Sequence, residues 1–243
     1  MSNVLFVGKD LPDCLDFAEA LAKTGRKVFT TEKLNAETSN FDSANIFKCT
    51  WNRSSAISSR ALIINAEAKL QPVDEYIVYF DSVYYNAKFN FDRTEDLSQA
   101  IDSTISSYQF FINELLFRLE QKKDQATIVF LVRTAPSKAE LIKNPGKTPN
   151  LHGSTNIVNA AQSAFISFAE NIATLVNDKP YLSVMLGQCT MQNELYNNEK
   201  EIAQWVCQSI DTIKAQKKHQ NAKQALTWVK AGGKVPTGFL LFK

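Results

Sequence analysis

The sequence predicts a doubly wound α/β domain: a seven-stranded parallel sheet with helices on both faces. Two observations carry this. Short apolar runs of strand length alternate with longer stretches at helical spacing along the chain. The connections between successive strands are too long for hairpins, so neighbouring strands run parallel and are joined by crossover helices. A length of 243 residues, without a low-complexity tract, internal repeat or linker, points to one domain spanning 1–243.

The first element is Val4 to Val7, a continuous apolar run suited to a strand buried on both faces. After Gly8 the pattern changes. Leu15, Ala18, Leu21 and Ala22 recur at helical spacing, Pro12 suits a first helical turn, and Gly25 suits the position just past the helix end. Lys27 to Thr31 and Ala44 to Cys49 read as the next two strands. Ser54 or Ser55 caps a helix running to Leu70, and Pro72 breaks the chain before a fourth strand, Glu75 to Phe80. The aromatic segment Val83 to Arg93 reads as a loop packed on the end of the sheet, or as a ligand-contacting wall. Thr94 to Glu120 forms a long helix, with Asp96 at its positive end and Lys122 and Lys123 at its negative end.

Ala126 to Val132 is the most hydrophobic strand candidate. The stretch 134–154 follows as an exposed loop insertion, with three prolines and two glycines between Arg133 and Ser154. Thr155 to Val176 is a helix apolar on almost every side, so both its faces need a cover. Tyr181 to Leu186 is a strand and Glu199 to Ile213 a helix. A short helix around Ala225 to Val229, a Gly-Gly turn and a last strand, Gly238 to Phe242, complete the pattern. The basic run Lys214 to Lys223 is interleaved with Gln, Asn and Ala and reads as a solvated helix face.

Composition narrows the function classes. With 27 basic and 25 acidic residues, the charge balance gives no footprint for nucleic acid or for an anionic membrane. No apolar run reaches the ~18 residues that span a bilayer. The N-terminus enters a strand at once, without the pattern of a signal peptide. The four cysteines have no C-x-x-C spacing and read as reduced thiols, which places the protein in the cytoplasm. Only His152 and His219 are present, too few and too far apart in sequence for a His-rich metal site or a Ser-His-Asp triad.

The chain resembles the short-chain dehydrogenase/reductase family, whose domain is a Rossmann-type NAD(P)-binding sheet. Val7-Gly8-Lys9-Asp10-Leu11-Pro12-Asp13-Cys14 lies in the register of the family's T-G-x-x-x-G-x-G turn. The spacing A-x-x-L-A-x-x-G-x-x-V is met by Ala18, Leu21, Ala22, Gly25 and Val28. Ala160 to Ala169 is similar to the family's S-K-A-A-x-x-x-F helix. Val184 to Gly187 is similar to V-x-P-G, and Gly232 to Gly238 to the terminal turn.

The resemblance implies NAD or NADP in a functional cleft, and it implies Gly8, Lys9, Glu32 and Lys33 as cofactor-binding positions. Glu32 suits a ribose 2′-hydroxyl, and Lys33 a 2′-phosphate. The three glycines of such a turn allow a tight bend, close approach of the pyrophosphate and close helix packing. Here Pro12 and Cys14 replace the second and third. Tyr79 and Phe80 stand where the family has small residues, and the helical asparagine expected near Ser103 or Thr104 is absent.

The family's catalytic serine, tyrosine and lysine positions are occupied by Thr134 (or Arg133), Val158 and Gln162. No tyrosine lies between Arg133 and Lys179. A tyrosine with its usual pKa of ~10 needs a cationic neighbour to act near neutrality, and neither valine nor glutamine transfers a proton. Tyr79, Tyr84 or Tyr85 would be the remaining source of an acid.

The sequence therefore leads to a non-catalytic relative with no bound cofactor, working as a scaffold or assembly subunit. The alternatives are a divergent NAD(P)-dependent oxidoreductase acting on a carbonyl or alcohol, and a module binding some other small molecule. The apolar helices 94–120 and 155–176 correspond to the family's subunit interface. They imply a homodimer or homotetramer, or a hetero-oligomer with a related reductase.

Overall fold

A computed structural model describes residues 2–33, 44–89, 94–143, 153–216 and 222–236. Seven parallel strands form one sheet: β1 (Asn3–Leu11), β2 (Lys27–Glu32), β3 (Ile46–Thr50), β4 (Glu75–Asp81), β5 (Ala126–Arg133), β6 (Leu182–Cys189) and β7 (Trp228–Lys230). Their order is β3-β2-β1-β4-β5-β6-β7. The chain thus builds outward in one direction from β1, returns to place β4 at its other side, and builds outward again. The reversal between β1 and β4 is the topological switch point, where open α/β sheets hold ligands beyond the strand C-termini.

Helices cover both faces. On one face α1 (Leu15–Lys23) packs beside α8 (Glu199–Lys214), with Phe17 stacked on Phe6 of β1 at 4.7 Å between ring centroids. The other face carries α2 (Ala56–Leu70), α5 (Ser107–Lys122) and α7 (Asn156–Leu175), which share a continuous core with Leu5, Val78, Phe80 and Phe130. Ser55 caps α2 by accepting from the Ser58 amide. Thr24 and Gly25 close α1, with Gly25 at φ +86°. The central strands β1, β4 and β5 are buried along their whole length, as their apolar runs predict.

Several boundaries differ from the sequence reading. Val83 to Lys88 is not a loop: α3 (Ser82–Lys88) forms there because the Asp81 carboxylate accepts from the Val83 and Tyr84 amides and caps it. Of that segment, 90–93 lie outside the described residues. The long helix over 94–120 is interrupted. It runs as α4 (Thr94–Ile101), a π-helical turn at Asp102–Ser106, and α5.

The stretch 134–154 contains α6 (Lys138–Lys143) and a parallel bridge between Ser137 and Ser154, with 144–152 outside the described residues. The helix expected over Ala225 to Val229 is shorter and earlier, as α9 (Ala222–Ala225), and Trp228 and Val229 belong to β7. A three-residue strand is too short to show a period. The expected strand Gly238 to Phe242 lies outside the described residues.

The cysteines at 14, 49, 189 and 207 are all free thiols. Among the described residues, no helix is long and apolar enough to cross a membrane, and no three His, Cys, Asp or Glu side chains gather as metal ligands.

Candidate functional site

The crevice at the switch point is reached by the C-terminal ends of β1, β4 and β5. The sequence between Gly8 and Cys14 does not form a phosphate-type turn there. β1 continues through it as far as Leu11. Its pairing with β2 slips between Leu5↔Phe29 and Asp10↔Thr31, which accommodates a bulge that includes Gly8 and Lys9. Gly8 has φ +134°, and a Cβ placed on it would stand 1.9 Å from the Tyr79 carbonyl oxygen. This glycine serves a close approach between two strands, not a loop around a ligand.

Pro12 follows a cis peptide bond and precedes α1, which starts only at Leu15. It is therefore outside the first helical turn, contrary to expectation. Cys14 does stand at the helix N-terminus, fully buried, with its thiol 3.7 Å from the Thr30 hydroxyl. Burial pushes that thiol up to about 12, against a small opposing effect of the Thr30 contact.

The bulge turns Lys9 inward. Its ammonium lies 3.0 Å from Asp81 Oδ2 and also contacts Glu199 at the start of α8. Arg133, at the end of β5, forks onto the same Asp81 carboxylate, with Nε 2.9 Å from Oδ1 and Nη2 2.6 Å from Oδ2. Arg133 Nη1 stands 3.5 Å from Glu199 Oε1. Side-chain exposure is 5% for Lys9, 0% for Asp81, 10% for Arg133 and 15% for Glu199, so two cations and two anions neutralise one another out of water.

A second charged group lies beside the first. Asp10 accepts from the Thr31 hydroxyl at 2.7 Å, from Arg53 Nη2 at 2.8 Å and from Lys88 Nζ at 3.3 Å. Burial alone would raise the Asp10 carboxyl. The charges of Arg53 and Lys88 and the hydrogen bonds outweigh it and hold the group down to about 2. Arg53 is itself buried, with its guanidinium carbon 4.5 Å from the Trp51 ring centroid and Nη2 also donating to the Gly8 carbonyl at 3.3 Å.

Tyrosines complete this wall. Tyr85 Oη lies 2.9 Å from the Gly8 carbonyl oxygen and 2.8 Å from Tyr108 Oη, and Tyr108 donates to the Tyr79 carbonyl at 2.7 Å. Burial, first among the causes, pushes the phenols of Tyr79, Tyr84 and Tyr85 up. The shift is away from the range in which a side chain exchanges protons near neutrality.

The residues singled out in the sequence are thus spread over three regions. Gly8 and Lys9 belong to the charged crevice. Glu32 pairs with Lys48 at 2.8 Å and Lys33 with Asp13 at 2.8 Å, both toward the edge of the sheet. Thr134 and Gln162 line a separate cavity of about 320 Å³ between the ends of β5 and β6 and the helix α7. Val158 lies one turn earlier on α7 and is fully buried in the apolar core. Gln162 Oε1 accepts from the Ser82 hydroxyl at 2.6 Å and from the Ala135 amide at 3.1 Å.

Ser103 and Thr104 fall in the π-helical turn, where the Ser103 carbonyl accepts from Ser107 Oγ at 2.9 Å. Sequence reasoning missed Asp81 and Glu199 as partners of Lys9 and Arg133, and Asp10 with Arg53 as the second charged group. The available signal was the placement of charges directly after strongly apolar runs: Lys9 after Val4 to Val7, Asp81 after Glu75 to Phe80 and Arg133 after Ala126 to Val132.

No protein-family model matches the chain, and no curated protein matches it in sequence. Solved structures do match. A putative short-chain alcohol dehydrogenase from Burkholderia multivorans superposes with a TM-score of 0.60 at 14% identity, over 98% of this chain and 100% of that one. A serine dehydrogenase from Escherichia coli gives 0.59 at 12%, over 90% and 94%. A short-chain dehydrogenase from Leptospira borgpetersenii, solved with bound NAD+, gives 0.56 at 11%, over 93% and 82%. The fold is that of the short-chain dehydrogenases/reductases, a single Rossmann-like α/β sheet.

Proposed function

We propose that the protein is a non-catalytic counterpart of these reductases, a scaffold or assembly subunit that binds no dinucleotide. One observation carries the reading: the crevice at the switch point is filled by the Lys9–Asp81–Arg133–Glu199 cluster. A pyrophosphate seated there would have to displace Asp81 and Glu199 from their cations and face two carboxylates. It would also lack the backbone donors of a glycine turn, because β1 runs on to Leu11. Val158 and Gln162 at the positions that transfer protons in active relatives support the same conclusion.

The test is a titration with NADH and with NADPH, followed by cofactor fluorescence and by thermal shift. The expected result is no saturable binding up to about millimolar concentration, which leaves less than roughly 4 kcal/mol of binding free energy. Micromolar affinity for either cofactor sinks the proposal.

Assembly, as a homodimer or homotetramer or with a related reductase, rests on helices 94–120 and 155–176. Leu97, Ile101, Phe117 and Leu175 on these helices keep exposed side chains. Light scattering of the protein alone, and of Phe117→Glu with Leu175→Glu, tests that part. A strictly monomeric wild-type chain removes the homo-oligomer.

A divergent NAD(P)-dependent oxidoreductase acting on a carbonyl or alcohol is the second reading. It is favoured by the open cavity beside Thr134. It requires cofactor binding, so the same titration decides between the two.

A further inference from the structure

We infer that the buried charged group around Asp10 holds one small monovalent anion, chloride in ordinary buffers, between the Arg53 guanidinium and the Tyr84 hydroxyl. The inference goes beyond the proposed function and does not depend on it. Arg53, Tyr84 and Lys88 lie outside the positions that the family resemblance assigns to a dinucleotide, which are Gly8, Lys9, Glu32 and Lys33.

Two polar atoms carry the argument. Arg53 Nη1 and Tyr84 Oη are both shut off from solvent, and neither has a hydrogen-bond partner. Arg53 is 7% exposed and Tyr84 9%. Folded interiors leave few such atoms unpaired, and a water or an ion is the usual partner where the protein supplies none. Both atoms are donors. A guanidinium stays charged and has no acceptor atom. Burial pushes the Tyr84 phenol up, the Asp10 charge adds to this and the Arg53 charge opposes it, so the hydroxyl keeps its proton.

The two side chains belong to one neighbourhood. Arg53 and Lys88 hold opposite oxygens of the Asp10 carboxylate, at 2.8 and 3.3 Å. The Lys88 ammonium stands 5.2 Å from the centroid of the Tyr84 ring, and the Lys9 ammonium 5.4 Å. Arg53 Nη2 and Tyr85 Oη both reach the Gly8 carbonyl, at 3.3 and 2.9 Å, which ties the guanidinium to the residue next to Tyr84.

The missing partner is an acceptor that brings no hydrogens of its own. A water accepting from Arg53 Nη1 and Tyr84 Oη would have two hydrogens to place in turn. The acceptors beside Arg53 are already engaged. Asp10 Oδ1 takes Thr31 and Arg53, and the Gly8 carbonyl has Arg53 and Tyr85 within hydrogen-bond distance. An anion makes no such demand, and its bond to a guanidinium is charge-assisted. The local charge points the same way: among the described residues, one carboxylate, Asp10, meets two cations, Arg53 and Lys88. Closure sets the size, because two donors sealed from solvent suit an ion of one or a few atoms rather than a phosphate on a nucleotide.

Bromide is the probe, because it replaces chloride and is identified by its anomalous X-ray scattering. Crystals of the full-length protein grown without halide are soaked in sodium bromide. One anomalous peak is expected within hydrogen-bond reach of Arg53 Nη1 and Tyr84 Oη. In solution, thermal unfolding is followed as chloride replaces gluconate at constant ionic strength. The wild-type unfolding temperature is expected to rise and to saturate, as it does for a ligand that binds only the folded state.

Tyr84→Phe removes one donor, breaks no hydrogen bond among the described residues and keeps the ring beside Lys9 and Lys88. In gluconate it is expected to unfold at or above the wild-type temperature. It is expected to weaken chloride about tenfold, the effect of one hydrogen bond to an ion. Lys88→Met removes the second cation and is expected to weaken chloride as well, with the bromide peak reduced.

A water in place of bromide at the two atoms overturns the inference. So does equal chloride dependence in wild type and Tyr84→Phe. A bromide peak without any saturable effect of chloride in solution means an adventitious ion only and overturns it too. The two readings fail separately. An empty halide site leaves the proposed function in place, whereas saturable NADH binding contradicts the proposed function whether or not bromide binds.

Discussion

Lys9 and Asp81 lie 3.0 Å apart, at the ends of two adjacent parallel strands and at the point where this type of fold ordinarily accepts a nucleotide. Asp81 is the hub. It also takes both arms of the Arg133 fork and caps α3 through two backbone amides. Removing it strands two buried cations and uncaps a helix. Asp81→Ala is expected to destabilise the protein by about 3–5 kcal/mol in urea unfolding. Glu199→Gln, more exposed and with its helix still capped by Asn198, is expected to lose about 1 kcal/mol. Comparable losses for the two would show that Asp81 is not the hub.

Gly8 gives a prediction of a different kind. Its missing Cβ is the space into which the Tyr79 carbonyl fits, and that carbonyl is backbone and cannot rotate away. Gly8→Ala is expected to cost at least about 3 kcal/mol, from overlap and from the positive φ together. Gly25→Ala is the comparison. It has a positive φ but open space around it, so about 1 kcal/mol is expected. Thermal unfolding of the two variants separates contact from conformation.

The contrast between these glycines also explains what the sequence made legible. Gly25 follows a helical period and precedes an apolar run, a local signal, and the structure places it at the end of α1. Gly8 falls in a loop register when only its neighbours in sequence are considered. The residue that dictates its role is Tyr79, far along the chain and brought alongside by parallel pairing. The same holds for Lys9, Asp81 and Arg133. Each looks like an ordinary charged strand end alone, and they become one cluster only once the order β1-β4-β5 is known.

The sheet and its main helices were readable because their signals are periodic and short-range. Helix α3 was not, because its cap, Asp81, ends a strand and its aromatic residues carry no clear period.

Acid should expose the Asp10 contribution. Its carboxyl is held at about 2, below the ordinary value of 3.8. A lowered folded-state value gives stability that is present above the ordinary value and lost as pH falls through that value toward about 2. The shift corresponds to about 2 kcal/mol. Wild type and Asp10→Asn are expected to differ in the pH dependence of urea unfolding by that amount between pH ~7 and pH ~2. Parallel curves would contradict the assignment.

The cysteines should be slow to react. Burial pushes Cys14 up to about 12 and Cys189 up to about 11, and raises Cys207 and Cys49 as well. The thiolate is the reactive form, so iodoacetamide at neutral pH is expected to leave the native protein largely unmodified. Cys49, the least buried of the four, is expected to react first. Mass spectrometry of peptides from timed reactions measures the order, and early modification of Cys14 would contradict its buried position.

The charge cluster has a further consequence for any attempt to seat a dinucleotide at this crevice. Lys9, Asp81, Arg133 and Glu199 are mutually neutral, and the single carboxylate of Asp10 stands against two cations, Arg53 and Lys88. Replacing Asp81 leaves Lys9 and Arg133 buried with only Glu199 between them before any space opens. A route that removes Asp81 first therefore passes through an intermediate less stable than the starting protein. A stepwise search through sequence meets a barrier here, and only a concerted exchange of the cluster together with the strand extension at Leu11 would cross it.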